Sequence, residues 1–405
     1  MSAIITGIGS LSPYGTDHSE IVSALKMERV TIQPLIELWP HVKATSVAPC
    51  IENTQFLAPD IPRSIANDAL NLSYYVIRKA LKDAGYDPEA VCRDSETGPR
   101  VALVSAFGAT GMDAHASLMN PDKRSSPFDL LKSLPTAVTG PLATLLGIKG
   151  PIHTVQHACA SGLRVVTQGM DLIELGRADV VICVSVEKVL QEIVGGFDAM
   201  RALYRGPNLE HASVPFSPHR AGFTVGEGAG CVILESRAAY FKRPETQQRN
   251  YGIALEYADY SDGHDLTNPT GEGGLASLSS VLDTLWHRYG ICPDFISAHA
   301  TSTLKGDAIE AKVLAECERS KDVPVVALKR LLGHSVTASG IVELILCLYM
   351  MQEGFIVSHG NLEYDPDLPP INLPKAPIRK PMTAFVKNAF GFGGLNCVLG
   401  VSRYV

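Results

Sequence analysis

Short apolar runs rich in β-branched residues alternate along the chain with longer stretches that carry apolar residues at helical spacing. The runs predict buried strands, and the longer stretches predict helices that pack on them. The first series of predicted strands covers 3–9, 100–105, 152–156 and 178–186, with helices at 64–84, 138–146 and 162–175 and a capped one ending near Lys26. Alternating strands and helices favour α/β layers with covered, mostly parallel sheets.

A second, similar series follows the polar segment 244–250, which is the best candidate for a linker. Its predicted strands cover 251–260, 294–299, 324–327, 383–387 and 396–401, and its helices cover 275–289, 307–318 and 341–351. Two similar series predict a duplicated α/β fold, with halves at 1–245 and 246–405. The glycine-rich bend between 223–225 and 231–235 is typical of a β-hairpin.

Composition excludes several classes of protein. The chain has 405 residues, of which 46% are hydrophobic and 19% charged, so a sizeable core is expected. The net charge of −7 argues against nucleic acid or an anionic membrane as the main partner. No charge-free apolar run is long enough to span a membrane. Nine scattered cysteines, with no Cys-x-x-Cys pair, indicate a reducing, cytoplasmic setting.

Cys159 is the strongest candidate for chemistry. It lies in Gln156-His157-Ala158-Cys159-Ala160-Ser161-Gly162, where a predicted strand enters and a helix leaves. A helix N-terminus offers free amides and a positive dipole end, both of which favour a thiolate. For most of the other eight cysteines, a buried structural role is the interpretation that fits.

Two histidines and a glycine-rich turn are further candidates for a site that contains Cys159. His299 ends a predicted strand, and His334 precedes a helix; small residues follow each, so each ring could face a cavity. The turn 390–394 lies between predicted strands and could offer a backbone N–H to a developing oxyanion. Taken singly, each histidine is equally well a core residue and the turn merely a bend.

Two other patterns are rejected. The run 226–230 resembles a nucleotide loop, but it continues into a strand and lacks the strand-turn-helix context. His153, His157 and Cys159 match no strong zinc spacing, and a metal would consume the thiolate. No metal site and no bound cofactor are therefore predicted.

Five motifs in order resemble the β-ketoacyl-acyl carrier protein synthases, specifically their elongating branch. They are the Ala-Cys-Ala-Ser turn at 158–161, the segments 220–230, 298–303 and 329–334, and the turn at 390–394, with 5–9 at the start of the chain. The resemblance implies a thiolase fold: two βαβαβαββ halves in five layers, α-β-α-β-α, usually as a dimer. It also implies decarboxylative condensation of an acyl group with a malonyl extender in type II fatty acid or polyketide synthesis.

The resemblance assigns a role to each matching residue. Cys159 would carry the acyl group, and His299 and His334 would bind the malonyl thioester carbonyl. The backbone N–H groups of Cys159 and Phe392 would form an oxyanion hole, and Phe392 would also gate the acyl pocket. The remaining matches are a Lys329–Glu310 ion pair that supports the histidines, and Thr301 and Thr303, which would contact the pantetheine arm.

Several positions depart from the family pattern. Gln156 and His157 replace Asp-Thr, Ala300 and Leu304 replace glycine and proline, Ala221 replaces aspartate, and Ala389 replaces serine. None removes a catalytic group. They indicate a divergent member of a secondary pathway.

The implied partners are an acyl carrier protein, which brings 4′-phosphopantetheine, and a second subunit. Because such carriers are acidic, a basic cluster near the tunnel mouth is expected, with candidates Lys123, Arg124, Arg201 and Arg205. The apolar strand 178–186 is expected to be an unpaired edge that forms the dimer interface. Either a homodimer or a heterodimer with a chain-length-factor-like paralogue fits. An acyltransferase that forms an ester or amide remains the alternative activity.

Overall fold

The computed structural model describes residues 2–403, apart from 37–38, 40, 51–60, 63, 109–110, 112–114, 116–117, 121, 123–125, 127 and 361. Lys123 and Arg124, two of the docking candidates, therefore lie outside the described residues.

The first half of the chain alternates strands and helices as its pattern of apolar runs predicts. Its strands are β1 (Ala3–Leu11), β2 (Gln33–Pro34), β3 (Ser46–Ala48), β4 (Val101–Phe107), β5 (Ile152–Thr154), β6 (Val180–Glu187), β7 (Val225–Gly226) and β8 (Gly228–Glu235). Its helices are α1 (His18–Lys26), α2 (Asp68–Asp83), α3 (Asp129–Ser133), α4 (Thr139–Leu146), α5 (Ser161–Glu174), α6 (Gln191–Ala199) and α7 (Arg237–Lys242).

The second half repeats this alternation. Its strands are β9 (Gly252–Ala258), β10 (Ile296–Ser297), β11 (Val325–Val326), β12 (Phe355–Ile356), β13 (Ile378–Arg379), β14 (Ala384–Gly391) and β15 (Leu395–Ser402). Its helices are α8 (Glu272–Tyr289), α9 (Leu304–Glu316), α10 (Lys329–Leu332) and α11 (Ser339–Glu353).

A ten-stranded sheet continues through both halves, in the order β11-β10-β14-β15-β9-β1-β8-β6-β4-β5. The halves meet where β1 pairs antiparallel with β8 on one side and β9 on the other. Within each half, parallel pairs and antiparallel pairs occur together: β4 with β6 is parallel, and β6 with β8 antiparallel. The sheet is therefore mixed rather than mostly parallel as expected, because β8 and β15 each run antiparallel to both neighbouring strands.

Helices cover both faces of each half and give five layers, α-β-α-β-α. Helix α2 packs on the outer face of the first half, against β1, β6 and β8, and α8 packs on the outer face of the second half, against β9 and β15. Helices α5 and α11 pack on each other between the halves. Helix α11 also contacts both β8 and β14, so it is buried along nearly its whole length.

Two glycines bring the N-terminal turns of the central helices into contact. A Cβ atom added to Gly162 of α5 would lie 2.7 Å from the Thr337 carbonyl oxygen and 2.9 Å from the Ile341 nitrogen. A Cβ on Gly340 of α11 would overlap the backbone nitrogen of Leu163. Real Cβ atoms are not found at such distances from backbone atoms, so this approach requires glycine on both helices.

Two local predictions are wrong. The expected hairpin does not form, because β7 pairs in parallel with β3 while β8 pairs with β1 and β6. The apolar strand β6 is also not an edge, since β4 and β8 pair with it on either side. The edge strand on this side of the sheet, beyond β6 and β4, is β5, on which Ile152 is 44% exposed.

The segment Val336–Glu353 is long and apolar enough to cross a membrane by length and composition alone. In the fold it is 89% buried, because α11 forms the central layer. Its apolar character is that of a core helix.

Candidate active site

Cys159 lies on a strained turn between β5 and α5. It stands two residues before the helix begins at Ser161, and Ala158 before it has a φ of +46°, a conformation that L residues seldom adopt. Hydrogen bonds hold the turn: the His157 N–H donates to Ser161 Oγ at 2.7 Å, and that hydroxyl donates to the Ala158 carbonyl at 2.7 Å. The strand-turn-helix position predicted for the cysteine is the one observed.

The thiol of Cys159 is buried, and this burial decides its ionisation. Burial raises its pKa to about 11, against the Lys329 ammonium and the backbone N–H groups of Phe392 and Cys159 itself, which lower it. The backbone amides at the turn favour the thiolate as expected, but burial opposes it more strongly, so the net shift of the pKa is upward. The two amides that face the sulfur are nevertheless those expected to form the oxyanion hole.

His299 and His334 come from separate loops of the second half and meet edge to face. Their ring centroids are 5.3 Å apart, and the ring planes form an angle of 85°. The backbone N–H of His299 donates to Glu310 Oε1 at 2.7 Å, which fixes the residue beyond the end of β10. The backbone N–H of His334 donates to the Thr224 carbonyl at 2.8 Å, which fixes the residue beside β7.

Both imidazoles are buried and have nitrogens free to bind a ligand. Nδ1 of His299 and both ring nitrogens of His334 accept or donate no hydrogen bond within the described part of the chain. Burial and the ammonium groups of Lys329 and Lys387 hold the pKa of each imidazole well below its usual value. Each ring is therefore neutral, with one N–H donor and one lone pair.

The expected ion pair between Lys329 and Glu310 is wrong. Lys329 Nζ lies 2.6 Å from Glu343 Oε1, a residue on α11, and both side chains are buried. Glu310 instead accepts hydrogen bonds from the backbone N–H groups of His299 and Ala300, at 2.7 and 2.6 Å. It thus supports a histidine through the main chain, while Lys329 is held by another carboxylate.

Two charged residues of this site were missed from the sequence. Glu343 accepts a second ammonium, since Lys387 Nζ lies 2.9 Å from its Oε2. Burial disfavours charge on Glu343, but the two lysines outweigh burial and lower its pKa. A lysine in the middle of the apolar strand Ala384–Gly391 was the available signal, because a buried lysine requires a partner.

The predicted side chains surround one cavity of about 430 Å³. Cys159, His299, His334, Glu310, Thr301, Thr303 and Phe392 all line it, and Lys329 lies behind them. Thr301 Oγ1 and Thr303 Oγ1 are 3.1 Å apart on one wall. The Phe392 ring lies 6.0 Å from that of Phe197, centroid to centroid, so Phe392 contacts α6.

Of the basic candidates near the cavity, Arg201 is exposed on its wall, whereas Arg205 is 2.9 Å from Asp198 in an ion pair. Lys305 also lines the mouth, although the sequence did not single it out.

Two family models match this chain over most of its length. The model "Beta-ketoacyl synthase, N-terminal domain" matches residues 2–239, and "Beta-ketoacyl synthase, C-terminal domain" matches residues 251–363. The chain belongs to the β-ketoacyl synthase family. The resemblance carried by five short motifs is thereby confirmed.

Known proteins of this family align with the whole chain. The chain is 29% identical over 419 residues to 3-oxoacyl-[acyl-carrier-protein] synthase 1 of Escherichia coli, and the match covers 98% of each. A solved β-ketoacyl synthase from Burkholderia phymatum superposes with a TM-score of 0.87 at 22% identity and covers all of both chains. The ishigamide ketosynthase/chain length factor superposes with a TM-score of 0.85 at 24% identity, covering 100% of this chain and 99% of that one. The predicted thiolase fold is confirmed.

Proposed function

We propose that this protein catalyses decarboxylative condensation of an acyl group on Cys159 with a malonyl group on an acyl carrier protein. The observation that carries the proposal is the convergence of a turn-borne thiol and two buried histidines with unpartnered nitrogens on one cavity. A buried polar atom without a partner is costly, so such atoms facing a cavity indicate a ligand that binds there.

In the first half-reaction the sulfur of Cys159 attacks the thioester carbonyl of an acyl-carrier. The carbon–sulfur bond to the pantetheine breaks, and the carrier thiol leaves with the proton of Cys159. The N–H groups of Cys159 and Phe392, which face the sulfur, are placed to stabilise the oxyanion. The proton of Cys159 passes to the departing pantetheine sulfur, and the nearby Lys329 ammonium lowers the pKa of the thiol that must release it.

In the second half-reaction the neutral rings of His299 and His334 hold the carbonyl oxygen of the malonyl thioester. The bond to the carboxylate breaks, carbon dioxide leaves, and its electron pair forms the enolate. The enolate carbon then attacks the Cys159 thioester, a carbon–carbon bond forms, and the cysteine sulfur is released. Two N–H donors at the developing negative charge act as an oxyanion hole does, and losing one typically costs about 2.7–4 kcal/mol of barrier.

The other predicted residues position these groups. Glu310 holds the backbone on either side of the peptide between His299 and Ala300. Lys329 supplies positive charge behind the cavity, where it opposes ionisation of both histidines and favours that of Cys159. Thr301 and Thr303 offer hydroxyls on the wall that the pantetheine arm would pass, and the Phe392 ring gates the space beside α6.

The partners follow from this chemistry. An acyl carrier protein brings its phosphopantetheine into the cavity, and Arg201 on the exposed rim supports docking of an acidic carrier. A second subunit, either another copy or a chain-length-factor-like paralogue, would cover β5. The halves 1–245 and 246–405 remain the proposed domain division, the first carrying Cys159 and the second the histidines.

Partial reactions of the purified protein test this function. The parent should form one acyl adduct, seen by intact mass, and release carbon dioxide from malonyl-carrier. Cys159→Ala should abolish the adduct, whereas His299→Ala and His334→Ala should keep it and lower carbon dioxide release about 100-fold or more. An adduct that survives Cys159→Ala, or undiminished decarboxylation in both histidine variants, would show the assignment to be wrong.

The alternative is an acyltransferase that forms an ester or amide from acyl-Cys159. That reaction requires only the cysteine and one base, so it gives no role to the second histidine. The same experiment separates the two, because an ester- or amide-forming enzyme would load Cys159 but release no carbon dioxide.

A further inference from the structure

Lys387 is a fully buried lysine in the strand β14, outside the set of residues assigned above. Its side chain is 1% exposed and it does not line the cavity. A buried ammonium is expensive unless oxygen atoms replace its hydration shell. The contacts of Lys387 therefore show what it is there to hold.

Three oxygen atoms surround the ammonium of Lys387. The Asn388 carbonyl oxygen lies 2.6 Å from Nζ, Glu343 Oε2 2.9 Å, and the Ala298 carbonyl oxygen 3.3 Å. These oxygens belong to three separate elements: β14 itself, the helix α11 and the end of β10. One ammonium thus cross-links the strand, the helix and the loop that carries the histidine.

Each of these contacts leads directly to a residue of the site. Glu343 holds Lys329 through its other oxygen, at 2.6 Å. Ala298 is the residue before His299. Asn388, whose carbonyl accepts from Lys387, donates its own side-chain amide to Glu310 Oε1 at 3.3 Å.

We infer that Lys387 is a positioning residue, which holds Glu343 and the Ala298 carbonyl so that Lys329 and His299 keep their places in the cavity. The inference rests on the proposed function, because its activity readout is decarboxylation. Without the ammonium, Glu343 has one cation in place of two, and the carbonyl of Ala298 loses a donor. Displacements of about 1 Å at a reacting group can cost a factor of 100 in rate.

The oxygen cradle suggests a specific test. Lys387→Ala removes the ammonium and the methylene groups next to it, so an ammonium ion from solution has both the space and the three oxygens to replace it. Lys380→Ala is the matched control, since Lys380 is also a lysine paired with a carboxylate, 2.8 Å from Asp294, but is 40% exposed and outside the site.

Two readouts are measured for the parent and both variants, in ammonium chloride and in choline chloride. The first compares acyl loading with carbon dioxide release per folded molecule; the second is the thermal unfolding midpoint. In choline, Lys387→Ala should retain loading within about threefold and lose about 100-fold in carbon dioxide release. Ammonium should restore release and raise the midpoint of this variant only.

Other outcomes overturn the proposal. If loading and release fall together, or if release is unchanged, Lys387 supports the fold and not the site. If ammonium restores neither release nor the midpoint, the oxygens do not form a cation cradle. Should Lys387→Ala fail to fold, Lys387→Gln, which retains two N–H donors without charge, is tested by the same comparison of acyl loading with carbon dioxide release. A parent that releases no carbon dioxide would disprove the proposed function, while the midpoint would still test the cradle.

Discussion

The imidazoles of His299 and His334 meet edge to face with centroids 5.3 Å apart, although 34 residues separate them in the chain. Two imidazolium ions at that distance would repel each other in a buried site. The neighbouring ammonium groups of Lys329 and Lys387 add to this repulsion. The pair is therefore built to be neutral.

Carbon dioxide release should consequently be insensitive to histidine protonation down to mildly acidic pH. The pKa of each ring lies well below 6.5, its usual value, because of burial first and the lysines second. The rate with malonyl-carrier should stay level as the pH falls from about 8 to about 6. A loss of rate centred near the ordinary histidine pKa would contradict this. The free energy of unfolding should also depend on these rings. It is unaffected by them above pH 6.5 and decreases as the pH falls below that value, because the unfolded histidines then bind protons that the folded ones do not.

The free thiol of Cys159 should react slowly with an alkylating reagent at neutral pH. Its pKa of about 11 predicts that alkylation by iodoacetamide rises about tenfold for each pH unit and does not level off below about pH 10. Mass spectrometry of the peptide that contains Cys159 would measure this rate. Cys292, which is exposed, provides an internal reference within the same digest. A plateau below pH 8 would mean that the site stabilises the thiolate more strongly than burial opposes it.

Arg201 should contribute to carrier docking. Arg201→Glu should raise the apparent KM for carrier-bound substrate severalfold and weaken the dependence of that KM on salt, because it removes positive charge at the cavity rim. Arg288→Glu is the control, because it makes the same change of charge far from the cavity. Arg288 lies near the C-terminal end of α8, about 20 Å along the helix from Gly274, which lines the cavity. Equal effects of the two substitutions would indicate general repulsion rather than docking.

Ile152 should belong to a subunit interface. It is 44% exposed on β5, which ends the sheet and pairs with β4 on one side within the described residues. An apolar residue on a strand edge favours pairing with another chain. Ile152→Lys should therefore shift the protein towards a 43.4 kDa species in light scattering, whereas the exposed Phe241→Lys should not. A parent that is monomeric and fully active would disprove an obligatory interface.

Backbone strain at Ala300 should make glycine unusually well tolerated there. Ala300 has a φ of +42°, and strain of this kind costs about 1–3 kcal/mol. Ala298, also buried, has no such strain. Ala300→Gly should therefore destabilise the protein less than Ala298→Gly by about that amount, measured as the difference in thermal or denaturant midpoints. Equal losses would show that the turn holds Ala300 without strain.

The residues proposed to carry the reaction were predictable because each follows a local rule. A thiol between a strand and a helix, or a histidine at a strand end followed by small residues, is visible in a few letters of sequence. Their order along the chain supplied the rest: five weak motifs in one order brought Cys159, His299 and His334 to a single cavity. The capped helix α1 was likewise predictable, since Asp17 accepts from the N–H groups of Ser19 and Glu20.

Partners of buried charges were not predictable, because they depend on which layers pack together. Lys329 contacts Glu343 rather than Glu310 only because α11 lies in the central layer. The pKa of Cys159 depends in the same way on how deeply the turn is covered, and no local pattern gives that depth. Strand β6 was mistaken for an edge because an apolar run has the same appearance at the centre of a sheet and at its border.

The contact between Gly162 and Gly340 has a consequence for how the site can vary. Gly162 follows Cys159 by three residues, and Gly340 follows His334 by six, so their contact joins the two helix ends that follow the sulfur and the imidazole. A methyl group at either glycine would leave every reactive group in the protein and yet move the two reactants apart. Any loss of activity would then come from the changed spacing of the two groups, since no reactive group is removed. Side chains on the cavity walls can therefore vary with the acyl group that is bound, while residues larger than glycine at positions 162 and 340 do not fit.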